Sequence, residues 1–145
     1  MRYGALALEL NQVDTILRAG YDCVELSATA VMKLDRAGVQ SAKKKLTDSG
    51  LCFDVFYEPL PPDIRICTEG FNTFVWREYL KDVCFRTFEL GGKKLIFRNG
   101  ESRYIPYEGD LPRVREVVMT FIKMLCDVAE EYGITLDAVW TSLRF

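Results

Sequence analysis

Residues 110–139 read DLPRVREVVMTFIKMLCDVAEEYGITLDAV and contain the clearest helix of the sequence, followed at once by a strand. Asp110 can cap the helix, Pro112 is tolerated in its first turn, and Gly133 ends it. The apolar run Ile134–Val139 then predicts a strand. The helix carries one apolar stripe at spacings of three and four residues, which indicates a face that packs on a sheet: Val114, Val117, Val118, Phe121, Leu125, Val128, Ala129 and Tyr132.

The same alternation of strand and helix extends back to the start of the chain. Four earlier strands are predicted at Tyr3–Leu8, Tyr21–Leu26, Leu51–Tyr57 and Lys94–Phe97, with helices over Asn11–Ala19, Arg36–Ser49 and Phe74–Leu90. Five parallel strands with four crossover helices fit either a doubly wound open sheet or consecutive strands of a (β/α)8 barrel. The run after the first strand, Leu8–Gln12, lacks a glycine-rich phosphate fingerprint, which weighs against a nucleotide-binding domain.

Composition excludes several classes of function. The 145 residues carry a net charge of −2 and no histidine, so we expect neither a basic nucleic-acid-binding protein nor histidine-based catalysis. No apolar run approaches the roughly 20 residues that span a bilayer, and no signal peptide is recognisable, so we expect a cytoplasmic protein without a membrane partner. The five cysteines have no paired spacing and are expected to be reduced thiols: Cys23, Cys52, Cys67, Cys84 and Cys126.

Four segments, taken in order, resemble one family of barrels. AGYDCVELSA (19–28) resembles the second strand of the xylose isomerase-like TIM-barrel superfamily, and ELGGKKLIFRNGESRYIPYEGD (89–110) its fourth strand and following loop. DVAEEYGITL (127–136) is similar to the approach to its fifth strand, and FYEPLPP (56–62) is compatible with its third. This superfamily includes sugar phosphate isomerases, ketose epimerases, inosose dehydratases and the metal-dependent AP endonuclease fold. The resemblance implies an α/β fold, a partial (β/α)8 TIM barrel in which residues 1–145 form a single truncated domain.

The resemblance also implies a divalent metal (Mn, Mg, Co or Zn) at the mouth formed by the C-terminal ends of the strands. In the family, two glutamates, an aspartate and a histidine hold the metal, and a carboxylate moves a proton beside a substrate carbonyl. The first glutamate is expected near the end of the fifth strand, where Val139 stands, and the other ligands come from strands six to eight. No ligand carries over, so we expect no metal or other cofactor in this chain alone. Asp137 is either a shifted ligand on the same face of the strand or a residue near a frayed end.

Polar residues at the C-terminal ends of the predicted strands face the mouth of such a barrel: Glu9, Glu25, Glu58, Arg98, Asn99, Glu101 and Arg103. Substrate-binding roles are predicted for Glu25, Glu58, Arg98 and Arg103, and no catalytic residue is assigned. Glu25 lies inside an apolar strand, where a carboxylate needs a partner, and the two arginines flank a glycine-containing loop suited to a phosphate or a sugar hydroxyl. The alternatives are a structural role for Glu25, as the partner of an arginine or of backbone donors, and ordinary loop positions for the other three.

Three aromatic residues near the start of the long helix admit two interpretations. Phe71, Phe74 and Trp76 either line a surface on which a sugar stacks or pack the helix on the sheet, and we expect the packing role.

Five strands cannot close a barrel that needs eight. An open arc leaves two strand edges and an inner face in water, and the strands that form it are strongly apolar: Leu6, Leu8, Val24, Leu26, Phe53, Val55, Leu95 and Phe97. We therefore predict self-association, most simply a homodimer of half-barrels. The alternative is that the proline-rich loop after the third strand or the tail Trp140–Phe145 covers part of this face. Three functions remain open: an inactive isomerase/epimerase-family protein, an isomerase or epimerase completed by another subunit or chain, and a non-catalytic binding module for a sugar-like small molecule.

Overall fold

One parallel sheet of five strands runs through the residues that the computed structural model describes, which are 1–98, 100, 102, 104 and 110–138. Its strands are β1 (Gly4–Ala7), β2 (Cys23–Ser27), β3 (Cys52–Tyr57), β4 (Lys94–Phe97) and β5 (Thr135–Ala138), and they lie in the order β1-β2-β3-β4-β5. Each crossover is right-handed and leads to the neighbouring strand on the same side. All crossover helices therefore cover the same face of the sheet. This is the order of consecutive barrel strands rather than of a doubly wound sheet, and it confirms the predicted fold class.

The strands are joined by four helical crossovers, as predicted. They contain α1 (Val13–Arg18), which follows a 3-10 turn (Leu10–Gln12), α2 (Ala28–Met32), α3 (Arg36–Ser49), α4 (Thr73–Leu90) and α5 (Leu111–Glu131). The bounds of α3 are those predicted, because the Asp35 carboxylate accepts the N–H of Gly38 and Gly50 ends the helix with a φ of 69°. The sequence does not predict the short α2, which begins where the Ser27 hydroxyl accepts the N–H of Ala30. Over the described ranges, no helix is long and apolar enough to cross a membrane.

The main core lies between the helices and the convex face of the sheet. The strands contribute side chains that are at most 1% exposed: Val24, Leu26, Phe56, Leu95 and Phe97. Phe97 packs on Phe121 of α5, with ring centroids 5.5 Å apart. Gly92 allows α4 to approach β3, because a Cβ there would lie 2.8 Å from the Phe56 ring and would overlap the Thr87 side chain. Four of the apolar residues on which the expectation of an apolar inner face rested are therefore covered by the helices instead: Val24, Leu26, Leu95 and Phe97.

The concave face of the sheet carries a mixed row of polar and apolar side chains. The strand register places one residue of each strand side by side: Leu6, Glu25, Val55, Lys94 and Thr135. Leu6 is 45% exposed, and Leu8, just after β1, is 58% exposed. These leucines on an edge strand favour the predicted self-association, which stays a prediction.

Candidate functional site

Tyr57 connects the C-terminal ends of the first three strands. It is the last residue of β3, and its side chain is 2% exposed. Its hydroxyl donates a hydrogen bond to the carbonyl oxygen of Ala7, the last residue of β1, at 3.2 Å. In the sheet register Tyr57 lies beside Ser27, the last residue of β2, so the phenol passes the end of β2 to reach β1. A buried hydroxyl thus lies at the edge of the sheet where barrel enzymes build their sites.

Three charged side chains act on this phenol. Burial raises the pKa of Tyr57 to about 12, the carboxylates of Glu58 and Glu25 contribute to the increase, and the guanidinium of Arg98 opposes it. The phenol therefore stays protonated across the physiological range of pH and serves as a hydrogen-bond donor. Three of the four residues predicted to bind substrate thus carry charges that influence the pKa of this phenol.

Glu58 has an unusual backbone conformation at this position. Its φ is 54°, and it is the only residue other than glycine with a positive φ in the part of the chain that the structure describes. Its N–H donates to the carbonyl oxygen of Ile96 at 3.0 Å, which extends the pairing of β3 with β4 by one residue. Left-handed backbone at a residue with a side chain costs free energy and concentrates at functional sites. The half-buried Glu58 carboxylate therefore projects from a strained backbone at the end of β3.

The remaining predicted residues differ in where they lie. Glu25 is half-buried in the concave row of the sheet, and Arg98 is exposed directly after β4. Glu9, which follows β1, is exposed and accepts a hydrogen bond from the Asn11 amide at 3.1 Å. Arg103, predicted to bind substrate, lies outside the described residues, as do Asn99 and Glu101. The substrate-binding roles of these residues stay predictions.

The aromatic residues near the start of α4 have a packing role. The rings of Phe71 and Trp76 are stacked at 6.3 Å with an interplanar angle of 4°, and Phe71 also meets Phe121 of α5 edge-on at 5.8 Å. Both lie against the main core, whereas Phe74 is 84% exposed. Phe71 and Trp76 thus fix α4 against α5 rather than forming an open sugar-stacking surface.

The described residues do not fit a divalent metal site. Glu25 on β2 and Asp137 on β5 have two strands between them, and the Asp137 carboxylate lies 3.1 Å from the Nζ of Lys94. Within the described ranges, no group of three or more His, Cys, Asp or Glu side chains is close enough to hold an ion. Val139, where the resemblance places the first ligand, lies outside these ranges. Asp137 is therefore engaged by a cation of the protein itself.

Solved structures that match this fold are sugar isomerases and epimerases. A D-psicose 3-epimerase from Clostridium cellulolyticum H10, crystallised with D-tagatose, matches with a TM-score of 0.74 at 13% identity, over 94% of this chain and 51% of its own. A xylose isomerase domain protein from Planctomyces limnophilus gives 0.71 at 12% identity, over 94% and 53%. A sugar phosphate isomerase/epimerase from Parabacteroides distasonis gives 0.64 at 17% identity, over 95% and 51%.

This chain has the fold of half a barrel. It spans about half the length of the structures that it matches, and the resemblance predicted from the sequence is confirmed at the level of the fold. No family model and no curated protein matches the sequence. In barrels of this kind, active sites lie at the C-terminal ends of the strands, so these ends are where a site is expected in this chain.

Tyr57 is the residue that the sequence analysis missed. Its place in the apolar run LCFDVFY suggested only a core position. The feature that could have identified Tyr57 is its position as the last residue of the predicted strand, directly before Glu58. A phenol at that position can turn its hydroxyl toward the mouth of the barrel.

Proposed function

We propose that this chain binds an uncharged sugar at the C-terminal ends of β1–β4, as the substrate-binding half of an isomerase/epimerase-type barrel. The observation that carries the proposal is the buried Tyr57 phenol, on which Glu25, Glu58 and Arg98 all act. Carboxylates accept hydrogen bonds from sugar hydroxyls, and a guanidinium donates to them. Three of the matching structures were crystallised with or in the presence of a sugar, which is D-fructose, D-tagatose or D-allulose.

The charge balance of this edge favours a free sugar over a sugar phosphate. Three carboxylates, those of Glu9, Glu25 and Glu58, lie at or near the C-terminal ends of β1–β3. Arg98 follows β4, and the predicted Arg103 would add a second cation, which still leaves an excess of negative charge. A phosphate ester would be repelled by this excess, whereas neutral hydroxyls would not.

We propose further that the chain is inactive alone. The support is the poor fit of the described residues to a metal centre, since the Asp137 carboxylate is paired with Lys94. The alternative is an active isomerase or epimerase whose metal-binding half comes from another subunit or chain. A cytoplasmic location agrees with the five free cysteines, which a reducing compartment would preserve. A non-catalytic binding module would use the same edge of the sheet without chemistry.

Calorimetric titration with D-tagatose, D-psicose and D-tagatose 6-phosphate tests the substrate class. We expect the two free ketoses to bind and the phosphate ester to bind more weakly. Glu25→Gln and Glu58→Gln should each weaken ketose binding about tenfold, because each removes a charged hydrogen bond. Glu116→Gln, on the exposed side of α5, is the matched control and should bind like the unaltered chain. Equal binding of the phosphate ester, or unchanged binding by both variants, would contradict the proposal.

Melting curves with added Mn²⁺, Mg²⁺ or Zn²⁺ test the proposal that the chain is inactive alone. A specific metal site on the folded chain would raise the melting temperature steadily with ion concentration. We expect no such rise. A large, saturable increase with one of these ions would show that this chain assembles a metal site and would favour the active alternative.

A further inference from the structure

Two cysteines face each other at the opposite end of the strands from Tyr57. Cys23 begins β2, Cys52 begins β3, and the two residues are direct partners in the sheet register. Both thiols are free and only partly buried. Because the length of the strands separates them from the sugar-binding edge, the chemistry of these thiols is independent of the proposed function.

Both side chains lie on the concave face of the sheet. Cys23 stands two residues before Glu25 and alternates with the buried Val24, which points into the helix-covered core. Cys52 is the direct register partner of Cys23 and lies on this face too, although the register of β2 and β3 shifts between this pair and the pair of Glu25 and Val55. The two thiols are therefore neighbours, with neither core nor helix between them.

The spacing suits a disulfide. Neighbouring strands lie about 4.8 Å apart, within the range of about 4.4–6.8 Å between the Cα atoms of disulfide-bonded cysteines. Side chains on a concave face lie closer together than the strands themselves. The neighbouring register pair, Gly4 and Cys23, gives a Cβ separation on this face. A Cβ built on Gly4, the partner of Cys23 in β1, would lie 3.5 Å from the Cβ of Cys23. On the other side of Cys23, its side chain interacts with that of Cys52 and contributes to the raised pKa of Cys52, so the two thiols are close neighbours, as a disulfide requires.

Asp54 gives the two thiols different roles. The Cys52 thiol donates to the Asp54 carboxylate at 3.2 Å, and this hydrogen bond, followed by burial, raises the pKa of Cys52. Cys52 is thus held as a protonated thiol beside a base. Cys23 is the thiol that is left to attack an oxidant, because the thiolate is the reacting form of cysteine.

We propose that Cys23 and Cys52 are a reversible modification site that closes into an intramolecular disulfide on reaction with glutathione disulfide. The Cys23 thiolate attacks one sulfur of glutathione disulfide, forms a mixed disulfide and releases one glutathione thiolate. Cys52 passes its proton to the glutathione thiolate released in the first step and attacks the Cys23 sulfur, which releases the second glutathione as a thiolate that takes up a proton from water. The protein loses two electrons, and glutathione disulfide is reduced to two molecules of glutathione. The disulfide would link β2 to β3 at a position two residues before Glu25 in β2.

Peptide mapping after oxidation of the folded 145-residue chain tests the proposal. Incubation with glutathione disulfide should lower the five free thiols to three and the mass by two hydrogen atoms. Proteolysis should yield one disulfide-linked pair of peptides, containing Cys23 and Cys52. Cys126→Ser removes an exposed thiol elsewhere and should still lose two thiols. Cys52→Ser should stop at a stable mixed disulfide of Cys23 with glutathione.

Two outcomes would overturn the proposal. One is a folded chain that forms only glutathione adducts or links between chains, with no peptide pair joining β2 to β3. The other is the same pattern of links in concentrated denaturant as in buffer, because a pair that the fold brings together should lose its preference once the chain is unfolded. The mapping uses the unaltered chain, so a variant that fails to fold leaves both readouts intact.

Discussion

Replacement of Glu58 by glycine should stabilise the chain and weaken its sugar binding at once. A φ of 54° costs a residue with a side chain about 1–2 kcal/mol, and glycine removes this cost. The greater conformational freedom of glycine in the unfolded chain lowers the free energy of unfolding by about 0.5–1 kcal/mol. The hydrogen bond from the Glu58 N–H to Ile96 is retained, since glycine keeps the donor. The net gain of about 0.5–1 kcal/mol corresponds to a melting temperature higher by about 1–4 °C at this chain length.

Glu58→Ala is the matched control because it removes the carboxylate and keeps the strained backbone. Scanning calorimetry should show the higher melting temperature for Glu58→Gly alone, and calorimetric titration with D-tagatose should show the same loss of affinity in both variants. A lower melting temperature for the glycine variant would mean that the backbone is not strained. Wild-type affinity in both variants would mean that the carboxylate does not meet the sugar.

Three further predictions concern packing, thiol chemistry and assembly. Gly92→Ala should lower the melting temperature by about 3–10 °C, because its Cβ meets a buried ring and a buried threonine, whereas Gly100→Ala, where nothing lies within 4 Å, should change it little. Asp54→Asn should lower the pKa of Cys52 and speed its alkylation by iodoacetamide at mildly alkaline pH, as followed by mass spectrometry of that peptide; an unchanged rate would argue against the hydrogen bond. Light scattering should give twice the 16.6 kDa of one chain, and Leu6→Lys, on the concave face, should reduce it to a monomer; a monomeric unaltered chain would contradict the predicted homodimer.

Local signals predicted most of the fold. Asp35 and Gly50 directly flank α3 and cap its two ends. The limits of this helix therefore follow from the local sequence alone. The first crossover differs, because the Gln12 side chain accepts the N–H groups of Leu8 and Glu9 and tightens the chain into a 3-10 turn before α1. The order of the strands could not be obtained from periodicity, since doubly wound and barrel folds share the same elements, and only the pairing in space separates them.

The candidate site was less accessible from sequence for a physical reason. Glu25 stands out as a carboxylate inside an apolar strand and Glu58 as one directly after such a strand, so their residue type alone is a signal. Tyr57 has no such signal, because its importance comes from a hydrogen bond to Ala7, 50 residues away in the chain. The same is true of Asp137, whose ion pair with Lys94 joins two strands and changes a potential ligand into a structural partner.

The residues around Tyr57 are costly for a protein that only has to fold. The strained backbone of Glu58 and the carboxylate of Glu25 on the inner face each oppose stability. Lys94 and Asp137 lie on the same concave face, but their charges offset each other at 3.1 Å. Positions that break a local rule are the ones that function explains best. On this argument the proposed sugar-binding edge runs along the ends of β1–β4, and the β5 side of the concave face contributes to stability.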